Sequence, residues 1–250
     1  MVNRIARQIV YGIGYLAVFG ITGLFIFFAF RSAPSCFDGR QNQGERGIDC
    51  GGPCIDCAIG TLRPVRAGDA AWIPTADHIV FAATMENTNA AFGVLAIGYT
   101  FTAFGDANTE LITVSGTSFL YPNEKKTVVE AVAEKRRPAI RRVAVTLGEP
   151  AWVRAESFAR PQFSLGAVSI ESDEKKNETI ARGTIRNEEA GAYGIVGITA
   201  LLYDARGALA GASKTQIALA GLETKEFTVH FPFVRDIDPA LTAVSYEAKR

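Results

Sequence analysis

Four cysteines carry the most specific chemistry in the chain. Cys36, Cys50, Cys54 and Cys57 all fall in the short stretch SCFDGRQNQGERGIDCGGPCIDC. An even number of cysteines in an oxidising compartment reads as two disulfides, in one of about three connectivities that the spacing leaves open. The stretch holds Gly39, Gly44, Gly47, Gly51 and Gly52 and almost no apolar residues. It therefore needs cross-links where a larger segment would use a core. Two alternatives use the same sulfurs. Cys54-x-x-Cys57 is a zinc half-site if the thiolates stay reduced, or a redox pair if a βαβ setting activates one sulfur; no such setting surrounds it. Asp38, Asn42, Glu45 and Asp49 could supply oxygens to a calcium ion, although their spacing is not that of an EF-hand. Asp and Asn in a glycine-rich loop also serve simply as turn formers.

The second concentration of charge is basic. Lys135, Arg136, Arg137, Arg141 and Arg142 lie together in KRRPAIRR. Such an edge suits an anionic polymer, a lipid headgroup or an acidic partner, or it is a solvated loop. Only two histidines occur, and His230 is out of phase with the apolar residues around it. Nucleophile-elbow, zinc-protease and phosphate-loop signatures are missing, and no pair of acids recurs at a spacing that would place two carboxylates in one cleft. Formal net charge is zero with a pI near 6.7, which gives no global pull toward nucleic acid. The expectation is therefore a protein without catalytic residues, cofactor or nucleic-acid partner.

Elements that would position these residues follow from hydropathy. The run from Tyr11 to Phe30, YGIGYLAVFGITGLFIFFAF, has no charge. As a helix rising about 1.5 Å per residue it spans roughly 30 Å, the hydrocarbon thickness of a bilayer. It is longer than a secretory h-region and ends in Phe27-Phe28-Ala29-Phe30-Arg31, with no small-residue cleavage site. Arg4 and Arg7 precede it, so the positive-inside rule leaves the N-terminus cytoplasmic. The pattern predicts a cytoplasmic segment 1–8, a signal-anchor helix over 9–31 and a disulfide module over 35–58 on the far side of the plasma (inner) membrane.

The remainder reads as an internal repeat with a period near 100 residues. Asn87 falls against Asn187, Phe92-Gly93-Val94 against Tyr193-Gly194-Ile195, Phe104 against Tyr203, Leu120 against Leu219 and Glu124 against Glu223. Within each copy apolar residues alternate, as in Phe227, Val229 and Phe231, with turn chemistry at Gly105-Asp106-Ala107-Asn108 and Asp204-Ala205-Arg206-Gly207. This predicts an all-β region of two tandem immunoglobulin-like sandwiches, over 62–157 and 161–250, joined by a linker at Ala155–Pro161. Trp72 and Trp152 are expected in core or interdomain packing.

Cys36, Asp38, Gly39, Asn42, Glu45, Gly47, Asp49, Cys50, Gly51, Gly52, Cys54 and Cys57 together resemble a cysteine module of bacterial surface proteins. That resemblance implies an exported protein and no particular activity. Leu202-Tyr203-Asp204 in the second copy and Phe101 in the first resemble the FxLYD family of extracytoplasmic sandwich domains. Asn87-Thr88-Asn89 resembles the Asn-Pro-Asn turn of the late-embryogenesis-abundant sandwich. These likenesses imply the fold and no catalytic residue. The expected function is a membrane-anchored interaction protein of the cell envelope, with an envelope protein or a second copy of the chain as partner. The alternative is a module binding calcium or a small ligand, at the cysteine-rich segment or between the sandwiches.

Overall fold

A computed structural model of the chain describes residues 2–30, 35–136 and 138–249. Arg137 of the basic edge, residue 31 at the end of the expected span, and residues 1 and 250 lie outside the described residues. The chain divides into two compact units, 1–62 and 63–250.

In the first unit, Val2–Phe30 forms a single helix, α1. Arg7–Phe28 within it has 22 residues at a mean hydropathy of 2.0, enough by length and composition to cross a membrane. Ile9, Phe19, Leu24 and Phe25 are all more than half exposed. A helix of this length and composition suits either a membrane anchor or a signal sequence. The cysteine-rich segment that follows has turns and no strand pairing beyond one bridge between Gly47 and Cys50. Disulfides join Cys36 to Cys54 and Cys50 to Cys57, closing loops of 18 and 7 residues in sequence separation. A short 3-10 turn, Cys57–Thr61, closes the unit, started by the Asp56 carboxylate accepting the Ala58 N–H.

Apart from short 3-10 turns at Asp106–Asn108, Ala155–Ser157 and Pro239–Leu241, the regular structure of the second unit is β. Its first half contains β1 (Arg66–Pro74), β2 (His78–Asn87), β3 (Phe92–Phe104), β4 (Glu110–Leu120), β5 (Glu124–Ala133), β6 (Arg142–Leu147) and β7 (Ala151–Arg154). The second half contains β8 (Phe163–Leu165), β9 (Ser169–Asp173), β10 (Glu178–Asn187), β11 (Tyr193–Tyr203), β12 (Leu209–Leu219), β13 (Thr224–Pro232) and β14 (Ala243–Ala248). They form four antiparallel sheets: β1-β2-β5 and β4-β3-β6 with β7 in the first half, β13-β10-β8 with β9 and β12-β11-β14 in the second. Each half closes around its own core. Phe81, Met85, Ile97, Phe101 and Leu120 fill the first, and Ile185, Val196, Ile198, Leu202 and Val229 the second. The mostly-β class, the apolar helix and the disulfide segment agree with the sequence reading.

The repeat is visible in hydrogen bonds as well as topology. Asn87 Nδ2 donates to the carbonyls of Phe92 (2.8 Å) and Tyr121 (3.1 Å), and its Oδ1 accepts the Asn89 N–H. Asn187 repeats the pattern on Gly191 (2.7 Å), Ala220 (2.9 Å) and the Glu189 N–H. Glu124 accepts the Tyr121 N–H and Glu223 the Ala220 N–H, both at 2.6 Å. In each copy one fully buried amide holds two loops, and one carboxylate closes the turn before the following strand.

Candidate functional site

The cysteine-rich segment folds on hydrogen bonds and two cross-links. The Asp49 carboxylate accepts the N–H groups of Asp38 (3.0 Å) and Gly39 (3.0–3.1 Å). Asp38 accepts from Asn42 Nδ2 (2.8 Å) and the Arg40 N–H (2.9 Å), and the Asn42 amide holds its carboxyl below the ordinary range. Glu45 is buried and accepts the Asn42 N–H at 3.1 Å. Its other oxygen lies 3.0 Å from Cys54 Sγ. That sulfur is in a disulfide and has no proton, so the approach is a packing contact and no hydrogen bond. The four calcium candidates, Asp38, Asn42, Glu45 and Asp49, are thus linked in a chain of hydrogen bonds, in which the three carboxylates accept from the segment's own N–H groups. Gly51 and Gly52 complete the turn with φ of 77° and 62°. A Cβ on Gly52 would sit 2.5 Å from the Gly44 carbonyl oxygen, so the loops close only over a glycine.

The pairing bears on the alternatives for the cysteines. Cys54 and Cys57 belong to different disulfides, so the C-x-x-C pair does not form a single redox disulfide. Cys36, Glu45 and Cys54 place their ligand atoms within 4.8 Å of one another, but two of those atoms are bonded to each other. With all four sulfurs joined, none is available as the thiolate that zinc requires.

A second assembly of charged and aromatic groups lies where the two sandwiches meet. Val80, Ala82 and Val129 on the outer face of β2 and β5 pack against Leu201 and Ala212 of β11 and β12. Around this apolar seam, Lys126 Nζ lies 2.6 Å from Glu247, and Lys214 Nζ 3.2 Å from Glu130. The Tyr99 hydroxyl donates to Glu130 at 2.7 Å. Burial first, and then that bond, push the Tyr99 phenol above its ordinary range. At one end Arg160 from the linker lies 2.8 Å from the buried Glu124. There Phe158 stacks on Tyr121 at 4.9 Å, and the Tyr121 hydroxyl donates to the Ala248 carbonyl. At the other end a cleft of about 450 Å³ opens between the halves, lined by Ile73, Val80, Ala212, Phe231, Phe233 and Arg235 among others.

Sequence reasoning misses this seam, although a signal for it exists. β2 reads HIVFAATMEN, apolar at adjacent as well as alternate positions. Such a run belongs to a strand covered on both faces. Trp72 and Trp152 both pack on the first core.

The basic edge is partly occupied by its own sandwich. Arg141 Nε pairs with Asp106 at 2.9 Å, and Arg142 Nη2 donates to Asn108 at 2.6 Å while lying over the Phe104 ring. Lys135 and Arg136 are exposed. His230 is exposed and bonded to Glu178, and His78 to Asp77.

No family model matches the chain, and no curated protein matches it. Solved structures do match, among them the transglutaminase of red sea bream. It is 11% identical, with a TM-score of 0.25, covering 75% of this chain and 32% of that one. The chain thus spans about a third of the length of that protein. What the molecule itself defines is a class: a β-rich chain with two disulfides behind an apolar N-terminal helix. That helix is able to serve as a membrane anchor or a signal sequence.

Proposed function

We propose that this chain is a non-enzymatic, membrane-anchored interaction protein of a bacterial cell envelope. α1 spans the membrane with its N-terminus in the cytoplasm, and the disulfide module and sandwiches stand outside. The observation that carries this reading is covalent sequence order. A 22-residue apolar span is followed at once by two disulfides, and disulfides persist in oxidising compartments. Arg4 ahead of the span and Arg7 at its first residue favour the same orientation. The acids at the seam support a structural role, because Glu130, Glu247 and Glu124 each face a lysine or arginine across the contact.

The interaction partner is an envelope protein or a second copy of the chain. A reporter enzyme active only outside the cytoplasm, fused after Arg250, should be active, and protease added to spheroplasts should digest the sandwiches. A protected C-terminus would sink the topology. Cross-linking in intact cells should then trap the partner. The cleft between the sandwiches supports a second reading, a small-ligand module, and that reading takes precedence if several cross-linking chemistries trap nothing.

A further inference from the structure

Three large apolar side chains stand in solvent within the cysteine-rich segment: Phe37 (87% exposed), Ile48 (64%) and Ile55 (57%). The whole 63–250 unit presents only five described ones, none more exposed than Ile195 at 63%. The disulfide between Cys36 and Cys54 holds their Cα atoms 5.5 Å apart, and Phe37 and Ile55 each follow one of these cysteines directly. Two of the three are therefore fixed near one another by a covalent clamp. A segment this short, stabilised by cross-links, has no core in which to bury them.

We propose that Phe37, Ile48 and Ile55 dock the cysteine-rich segment onto the surface of the bilayer that α1 crosses. The inference rests on the membrane-anchor reading. The occupant follows from chain length. Cys36 is six residues beyond the end of α1 at Phe30, and six residues reach at most about 20 Å. The interfacial layer on each side of a bilayer's hydrocarbon is several ångströms thick, and the segment is tied beside it. Apolar side chains held there partition into the boundary between headgroups and acyl chains. The charges agree with this placement. The carboxylates of Asp38, Asp49 and Glu45 accept hydrogen bonds from within the segment, whereas Arg40 and Arg46 are exposed and suited to lipid phosphate.

The test uses the full chain in phosphatidylcholine vesicles, with and without bromine at carbons 6 and 7 of one acyl chain. Phe37→Trp is expected to add fluorescence that the brominated lipid quenches at least twofold, after subtraction of the signal from Trp72 and Trp152. Ile48→Trp should behave in the same way, and Phe37→Ser with Ile55→Ser should abolish that quenching. Both reporters sit at exposed positions, so they leave the disulfide fold undisturbed. Retention on alkaline extraction reports on the anchor separately. A chain that is retained but shows no bromine quenching overturns the docking alone. Blue-shifted emission without quenching also overturns it, assigning the patch to a protein surface. A chain that is extracted overturns the anchor reading and the docking with it.

Discussion

Asn87 and Asn187 do the same work a hundred residues apart, and the work is backbone satisfaction. Each amide donates to two carbonyls of different loops and accepts one N–H. Asn87 is 1% exposed, so water cannot take over those bonds. Each buried polar group left unpaired costs about 1–3 kcal/mol. Asn87→Ala is therefore expected to destabilise the sandwich unit by ~3 kcal/mol. In a unit of this size that is a fall of ~10 °C in Tm, which calorimetry reads directly. Asn87→Asp should be worse at neutral pH, because a carboxylate would face the Phe92 and Tyr121 carbonyls. An aspartate variant as stable as the parent would sink this account.

Among the elements, the cysteine-rich segment depends most on covalent chemistry. Removing either disulfide releases loop-closure entropy worth about 2–4 kcal/mol, more than a segment without a core has in reserve. Mass mapping of the unreduced protein should find Cys36 with Cys54 and Cys50 with Cys57, and no free thiol. A Cys54–Cys57 peptide would overturn the pairing and revive the redox alternative. Reduction should leave the sandwiches' β signal in circular dichroism unchanged, since no cysteine lies in the 63–250 unit. The β2 strand presents the opposite case. It is stabilised by position, with Phe81 and Met85 in one core and Val80 and Ala82 in the seam.

At the scale of the molecule, the two sandwiches use unlike faces to meet. The β1-β2-β5 sheet of the first lies on the β12-β11-β14 sheet of the second, so the contact runs head to tail. In the second repeat the positions equivalent to Val80, Ala82 and Val129 are Ile180, Arg182 and Thr228. Arg182 is exposed there and lies 3.9 Å from Glu171. That face therefore lacks the apolar surface with which the first sandwich makes the seam, and carries a charge in its place. Ala82→Arg, which places in the first sandwich the residue found in the second, should open the seam while leaving both cores folded. Chymotrypsin should then cleave after Phe158, now 8% exposed against Tyr121, at least tenfold faster. An unchanged rate would show that the seam tolerates the charge.

What the sequence determined by itself are the features written in neighbouring residues. The apolar run of α1, the alternation of the strands and the turn residues of each copy are local patterns, and the repeat shows when one copy is set beside the other, Asn87 with Asn187 and Glu124 with Glu223. Each local pattern dictates its structure through the geometry of one helix, one strand or one turn. The cysteine pairing, the second covered face of β2 and the Lys126–Glu247 and Lys214–Glu130 contacts were decided only by tertiary structure. The physical reason is distance along the chain. Lys126 and Glu247 are 121 residues apart, and nothing in the periodicity around either one encodes what the completed fold will bring to face it.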